Sequence, residues 1–242
     1  MTDRRRFLKK SITMDDLQKF KKDKLYGFHK NGKVVVKPQF SYVGKFNEGL
    51  IVVEKDDKWG FLNQQGEIVI PLQYDWANDF NDGLAVVKEH GKVGFINQQN
   101  QIIIPLEYDT TSLFVEGLSA VSKNRKEGFI NKQNEIVIPL EYDYCRCFEE
   151  GLAIVLKNNK WGCINHKNEI IIPLQYNFMG NLSNGLFTVE KDNKYGFINK
   201  LNEIVIPFQY DKAYFFENGL AYVEKDGKAF HINKQGEFVK DA

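Results

Sequence analysis

Histidines and cysteines are the first side chains to consider as metal ligands, bases or nucleophiles. The four histidines are far apart in the sequence: His29, His90, His166 and His231. No two of them have the spacing of metal ligands. Cys145 and Cys147 form a closely spaced thiol pair, but the second pair or histidine tract of a zinc site is missing. We therefore predict no metal site and no histidine base.

Carboxylates recur at one position of a repeating pattern, as Glu67, Glu135, Glu169, Glu203 and Glu237. A second column consists of lysines: Lys58, Lys92, Lys126, Lys160, Lys194 and Lys228. An acid repeated in this way is typical of a solvated face with cross-strand charge pairs, and one catalytic pair would not repeat. Glycine pairs such as Gly91 and Gly94 join strand to strand without the helix that a phosphate loop needs. We predict no cofactor and no enzymatic activity.

The spacing of these residues indicates a tandem repeat. Glycines followed by leucine recur every 34 residues, at Gly49, Gly83, Gly117, Gly151, Gly185 and Gly219. A second glycine column comprises Gly27, Gly60, Gly94, Gly128, Gly162 and Gly196. All six prolines form a third column, each followed three residues later, or two in the first case, by Tyr or Phe. Such self-similarity is the signature of a repeat architecture.

One copy is predicted to contain three strands and a connector. Residues 84–88, 93–96 and 101–104 are rich in strand formers and are separated by polar turns. We expect Pro105 to end the third strand, and the glycines to lie where a Cβ would collide with a neighbour. The connector, with an apolar residue three positions before the Gly-Leu pair, is expected to be irregular or a single helical turn that plugs the gap between meanders.

Several segments carry a resemblance to a known family, namely 58–63 (Lys-Trp-Gly-Phe-Leu-Asn), 160–165 and 194–199, with the trailing Ile-Val-Ile-Pro and Phe-x-x-Gly-Leu. Together they resemble bacterial WG-repeat proteins over about residues 25–240. The resemblance implies an all-β repeat domain that serves interaction and has no shared catalytic motif. Val93, Glu127 and Ala229 depart from it by replacing the tryptophan, and Phe230 replaces the glycine of the last copy.

We predict an all-β fold of six full copies and a partial one, built of three-stranded meanders stacked in an open superhelical array. The first copy lacks a leading strand in this interpretation. A closed propeller-like ring is the alternative, although its blades usually have four strands and 40 or more residues. Residues 25–242 would form one repeat domain. Residues 1–24 would form a basic arm with a short helix, in which Met14, Leu17 and Phe20 share one face up to about Asp23, acting as a cap or a partner-binding element.

The net charge and the cysteine count limit the classes of partner and the compartment that can be expected for this chain. The net charge of +1 offers no attraction to nucleic acid or to an anionic membrane. An odd count of three cysteines favours a reducing compartment, and the twin-arginine-like start at Arg4 to Lys9 lacks the apolar stretch of an export signal. We expect a cytoplasmic protein that is a monomer on its own.

Candidate binding residues lie where the copies differ, in the connector after the Pro-x-x-Tyr aromatic. Two variable columns supply Trp, Tyr, Phe and Arg, the kinds of side chain that often anchor interfaces: Tyr42, Trp76, Tyr144, Arg146, Phe178 and Tyr214. Alternatively, these aromatics fill space under the connector. We expect a non-catalytic protein-interaction scaffold, in a specific form an immunity or inhibitor protein that binds a bacterial toxin. Binding of carbohydrate or cell wall is the alternative.

Overall fold

The computed structural model describes residues 17–242, and every regular element in that range is a β-strand. The range contains no helix long and apolar enough to span a membrane. The chain divides into two compact units, residues 1–106 and 107–242, and the division falls within one strand. The prediction of an all-β tandem-repeat fold made of open sheets is confirmed.

The first unit contains three antiparallel sheets. The strands of its first sheet are β1 (Gln18–Lys22), β2 (Leu25–Lys30) and β3 (Lys33–Phe40). Those of the second sheet are β4 (Tyr42–Val43), β5 (Leu50–Lys55), β6 (Lys58–Asn63) and β7 (Ile68–Tyr74). Those of the third are β8 (Trp76–Ala77), β9 (Leu84–Glu89), β10 (Lys92–Asn97) and β11 (Ile102–Tyr108), which contains the division.

The second unit contains four further sheets of four strands each. The fourth and fifth sheets consist of β12 (Thr110–Thr111), β13 (Ser119–Lys123), β14 (Lys126–Ile130), β15 (Ile136–Tyr142), β16 (Tyr144–Cys145), β17 (Ala153–Lys157), β18 (Lys160–Ile164) and β19 (Ile170–Tyr176). The sixth and seventh consist of β20 (Phe178–Ser183), β21 (Leu186–Lys191), β22 (Lys194–Ile198), β23 (Ile204–Tyr210), β24 (Lys212–Ala213), β25 (Ala221–Lys225), β26 (Lys228–Ile232) and β27 (Phe238–Asp241).

Two expectations about the N-terminal region were wrong. Residues 18–22 form strand β1, not the end of a helix, and β1 gives the first copy the leading strand that it was expected to lack. Asp23 and Lys24 adopt positive φ angles and close a tight hairpin between β1 and β2, which hydrogen-bonds the otherwise open edge of β2. Leu17 is buried in the first core cluster. Met14 lies outside the described residues.

The connector is also different from its prediction. The three long strands are confirmed in each copy, but from the second sheet onward the connector begins with a further strand, of two residues in most copies. The rest of the connector ends in a tight turn closed by paired backbone hydrogen bonds, as between Asn81 and Leu84, and it is not helical. Gly83 is the second central residue of this turn and has φ of +80°, a backbone conformation that favours glycine.

Proline does not end the third long strand, which continues through it to the aromatic residue. The pairing of β6 with β7 shifts register between Trp59 and Phe61, and Pro71 lies at this β-bulge, where the ladder requires no N–H. The bulged backbone passes so close to Gly60 that a Cβ there would lie 2.5 Å from the Ile70 carbonyl oxygen. The Trp-Gly pair and the Ile-Pro pair therefore lie opposite each other, on the two strands that form one β-bulge.

Each core forms between two successive sheets of a unit. In one such cluster, Phe129 and Ile138 from one sheet pack with Ala153 and Ile164 from the next. The connector aromatics Phe80, Phe148 and Phe216 are buried and plug these cores as expected. In contrast, Phe46 is exposed.

Polar side chains join one copy to the next. The Tyr142 hydroxyl donates a hydrogen bond to Oδ1 of Asn168 at 2.7 Å, and Tyr176 makes the same bond to Asn202 at 2.6 Å. Both asparagines lie in turns at positive φ, so one residue type meets the conformational and the hydrogen-bonding requirement. The sequence alone did not reveal these bonds.

The expected pairing of the lysine column with the glutamate column was wrong. Lys58 Nζ lies 2.7 Å from a carboxylate oxygen of Asp75, and Lys126 lies 2.6 Å from Asp143. The glutamates instead accept hydrogen bonds from the asparagine that ends the Trp-Gly strand, as Glu135 does from Asn131 at 2.6 Å. Because the bulge displaces the third strand, the lysine faces the residue after the tyrosine.

Candidate functional site

The variable connector columns lie on the short strands. Tyr42, Trp76, Tyr144 and Phe178 each occupy the first residue of such a strand, and all four are exposed. Tyr214, which follows the last short strand, is also exposed. Arg146 is half-buried.

In the first unit, these residues form an aromatic row with a Trp-Gly tryptophan. The ring of Trp59 lies 5.0 Å from the ring of Tyr42 and 6.3 Å from the ring of Trp76, measured between centroids. Tyr42 and Trp59 both pair with Glu54, on opposite sides of β5, so their side chains leave the same face of the sheet. We call Tyr42, Trp59 and Trp76 the first aromatic row.

In the second unit, Tyr144 and Arg146 flank another Trp-Gly tryptophan. The rings of Tyr144 and Trp161 are 5.9 Å apart, and the Arg146 guanidinium lies 5.4 Å from the Trp161 ring centroid, within range of a cation–π contact. Arg146 Nη1 also donates to Oδ1 of Asn181 at 2.5 Å. We call Tyr144, Arg146 and Trp161 the second aromatic row.

Sequence reasoning missed the role of the tryptophan column, because it placed the candidate binding residues only where the copies differ. Trp59 and Trp161 are half-buried and contact the predicted binding residues directly. Strand alternation could have indicated this, because residues that share one cross-strand partner point to the same face.

The copy that contains Thr110 and Glu127 has polar residues in place of the short-strand aromatic and of the tryptophan. Thr110 and Ser122 share a hydrogen bond of 2.7 Å between their hydroxyl oxygens. Glu127 occupies the tryptophan position and accepts a hydrogen bond from the Cys145 backbone N–H at 2.6 Å. Burial raises the pKa of the Glu127 carboxyl above its ordinary value. In the second unit, this copy therefore offers hydroxyl and carboxyl groups where other copies offer rings.

Cys145 and Cys163 are buried, and His166 packs against a neighbouring aromatic ring. Burial raises the pKa of the Cys163 thiol to about 12 and raises that of Cys145 as well, so both thiols are protonated and poorly nucleophilic at neutral pH. The imidazole of His166 stacks on Phe148, with 4.1 Å between centroids, and its Nε2 lies 3.2 Å from Glu116. Between residues 17 and 242, no group of three or more His, Cys, Asp or Glu side chains could hold a metal ion.

The outer long strands carry an apolar surface that the sequence did not reveal. The first two residues of the Ile-Val-Ile-Pro run are exposed and the third is buried, as at Ile136, Val137 and Ile138. These exposed aliphatic side chains lie on the outermost strand of each sheet and not in the aromatic rows.

A cleft opens between the sixth and seventh sheets of the second unit. It has a volume of about 250 Å³ and is lined by Phe178, Gly180, Asn181, Thr188, Tyr195, Lys212, Ala213, Tyr214 and Phe215. Four of these nine residues occupy the two variable columns of the connector, namely Phe178, Gly180, Lys212 and Tyr214. We call this the Gly180 cleft.

The family model for the WG-containing repeat matches six segments of the chain: 28–59, 59–92, 94–126, 128–161, 161–195 and 195–228. The fold and the aromatic rows thus belong to a tandem β-repeat protein in which the Trp-Gly pair recurs. The chain belongs to the WG-repeat family, and the resemblance seen in its sequence is confirmed.

Several solved structures match the chain at low sequence identity. A eukaryotic initiation factor has 12% identity and a TM-score of 0.52, with 82% of this chain and 63% of that chain covered. Hsv2 from Kluyveromyces lactis has 8% identity and a TM-score of 0.44, with coverage of 79% and 74%. The match to the initiation factor concerns the fold alone. No curated protein matches the chain.

Proposed function

We propose that this chain is a non-catalytic scaffold that binds another protein through its aromatic rows. The observation that carries the proposal is the direct contact between variable, exposed aromatics and the Trp-Gly tryptophans, as between Tyr42, Trp59 and Trp76. Such pre-assembled rings bury a large apolar area with little loss of side-chain entropy when a partner covers them.

The second aromatic row supports a protein partner further. Tyr, Trp and Arg dominate the energetics of protein interfaces, and Tyr144, Trp161 and Arg146 occur there as one contact group. The hydrogen bond from Arg146 to Asn181 holds the guanidinium over the ring before any partner arrives. This preorganisation lowers the entropic cost of binding.

More specifically, we propose that the chain is a cytoplasmic immunity protein that binds a bacterial toxin and covers its surface. Residues 25–242 hold 24 basic and 28 acidic side chains, and this mild acidity suits a basic partner such as a nuclease. The bound toxin would be inhibited by coverage, so no catalytic group is needed in this chain.

Affinity capture from the cell of origin, with cross-linking and mass spectrometry, tests the proposal. The variant carries Trp76→Ala and Tyr144→Ala, and the control carries Ile102→Ala and Ile136→Ala, which truncate side chains that are 58% and 59% exposed outside the rows. We expect one protein to be captured by the wild type and the control, and its recovery to fall roughly tenfold or more with the row variant.

Equal recovery of that protein by the row variant and the control would remove the aromatic rows as the binding surface. Capture of no protein, combined with sedimentation of the chain with peptidoglycan, would favour the carbohydrate or cell-wall alternative instead. Row variants that lose peptidoglycan binding would then locate that activity on the same rings.

A further inference from the structure

We infer that the Gly180 cleft receives one aromatic side chain of a protein partner. This inference rests on the proposed function, since it assumes that the partner is a polypeptide. It adds a specific pocket, outside both aromatic rows, and the chemistry of the group that fills it.

The cleft exists because the sixth sheet departs from the repeat. The column that holds Arg146 in one copy and Tyr214 in another holds Gly180 here, so no side chain fills the space. The short strand is also longer in this copy, spanning Phe178–Ser183, and its pairing with β21 shifts register between Met179 and Leu182. The cleft is therefore open for two reasons: residue 180 has no side chain, and strand β20 is displaced relative to β21.

The walls of the cleft are aromatic. The rings of Phe178 and Tyr195 lie 6.0 Å apart at one side, and Tyr214 and Phe215 line the other. Aromatic rings prefer offset or edge-on contact with another ring, which adds to the apolar area that such a guest buries.

Three polar groups at the cleft are already engaged within the protein. Lys212 Nζ lies 2.9 Å from Glu224, Asn181 Oδ1 accepts from Arg146, and the Thr188 hydroxyl donates to the Tyr214 carbonyl at 3.4 Å. A sugar or a charged metabolite requires several such groups to replace its hydration shell. An uncharged ring requires none.

The size of the cleft and its surroundings indicate a side chain of a macromolecule. Its volume of about 250 Å³ lies below the roughly 300–1,000 Å³ of small-molecule sites. Tyr214 and Phe215, which are 56% and 57% exposed, form an apolar ridge at its mouth. A second depression of about 490 Å³, lined by Tyr214, Phe215, Tyr222 and His231 among others, continues beyond this ridge. A polypeptide can place one side chain in the cleft and cover Tyr214 and Phe215 with its neighbouring residues. A small molecule in the cleft would leave these two rings exposed to water.

Methyl-detected NMR of the full chain tests the inference with N-acetyl-tryptophanamide as the probe and N-acetylglucosamine as the competing probe. Ring-current shifts are expected at the Thr188 and Ala213 methyl groups, which line the cleft, on addition of the tryptophan probe only. Gly180→Tyr and Gly180→Arg carry side chains that other copies have at this position, and each is expected to weaken the probe's binding at least tenfold.

Gly180→Ala is the matched control, because a Cβ at this position meets no atom closer than 3.6 Å and leaves the cleft open. It should bind the probe like the wild type. The inference is overturned if the tryptophan probe leaves both methyl groups unshifted, if its binding survives in both filled variants, or if the sugar produces the shifts. Because this readout needs no natural partner, a negative result is separate from failure of the captured-protein test of the aromatic rows.

Discussion

At the scale of single residues, the fold depends on particular residue types at a few positions of the repeat. The glycine of the Trp-Gly pair accommodates a crossing backbone, and the tyrosine after the proline donates a hydrogen bond to the following copy. Both positions recur in the sequence because most copies contain the same bulge and the same turn. Two predictions concern these residues.

Gly94→Ala is expected to destabilise the protein by about 1–3 kcal/mol, the usual cost of forcing extra atoms into a packed site. A Cβ at this position would lie 2.4 Å from the Ile104 carbonyl oxygen and 2.7 Å from that of Pro105, and these backbone atoms cannot rotate away. Urea unfolding measures the change. Gly180→Ala serves as the control with little loss, and equal stability of the two variants would contradict the close-approach explanation.

Tyr142 is expected to make stability fall at alkaline pH. Burial raises the pKa of its phenol from 10.0 to about 12 in the folded chain, so the folded state holds the proton more tightly than the unfolded state does. Its contribution is therefore complete below pH 10 and is lost as the pH rises from 10 to about 12.

The pH dependence can be isolated by comparing the wild type with Tyr142→Phe. This variant lacks the 2.7 Å hydrogen bond to Asn168 and should be about 1 kcal/mol less stable at pH 8. The difference between the two proteins should shrink between pH 10 and 12 in denaturant melts. Tyr144→Phe, which alters an exposed ring, should follow the wild type, and a constant difference across this pH range would refute the assignment.

At the scale of the element, each copy is a meander whose turns are specified by asparagine. Asn165 directly follows the Trp-Gly strand β18, and its Oδ1 accepts hydrogen bonds from the backbone N–H groups of Lys167 and Glu169 at 2.9 and 3.0 Å. The same Asx arrangement recurs at Asn63, Asn97, Asn131, Asn199 and Asn233. It fixes the register at which the third long strand returns along the second.

Asn165→Ala is expected to cost about 1–2 kcal/mol, similar to the loss of a helix cap, because two backbone donors lose their acceptor. Asn165→Asp retains an acceptor oxygen and should lose less. Thermal unfolding of the two variants compares them directly. The reverse order of stability would show that the amide group, through its bond to Glu169, matters more than the turn.

At the scale of the whole molecule, stability comes from stacking between copies. The core that contains Phe197 and Ile206 is completed by Phe216, Val223 and Ile232 from the following sheet. One sheet alone would expose this apolar face to water, and small sheets without a packing partner are marginal. The binding rows depend on the same stacking, since Trp59 contacts Trp76 only when two sheets are adjacent.

A peptide of residues 143–176, one copy in length, is expected to be unfolded. Its circular dichroism should lack a strand signal and a cooperative melting transition, whereas the full chain should show both. A folded single copy would overturn the stacking account. The full chain at the same residue concentration is the control for the spectrum.

Local rules predicted the repeating unit well. The three long strands, the glycine and proline columns and the aromatic plugs followed from residue type and spacing, because these depend on neighbours within one copy. The N-terminal helix and the Lys–Glu pairs were wrong for a related reason. A hairpin partner for β2 and a bulge that shifts one strand against another are properties of paired strands. The spacing of Met14, Leu17 and Phe20 and the alternation of residues along one strand do not encode them.

Residue order alone therefore specified an all-β chain of 34-residue copies, its family and the positions at which copies differ. Tertiary structure decided three features that this order did not specify: the contact of the tryptophans with the variable aromatics, the exposure of the aliphatic pairs and the cleft at Gly180. The physical reason is distance along the chain. Contacts such as Tyr142 with Asn168, 26 residues apart, or Lys200 with Glu150, 50 residues apart, arise only when separate copies pack, and exposure is set by that packing.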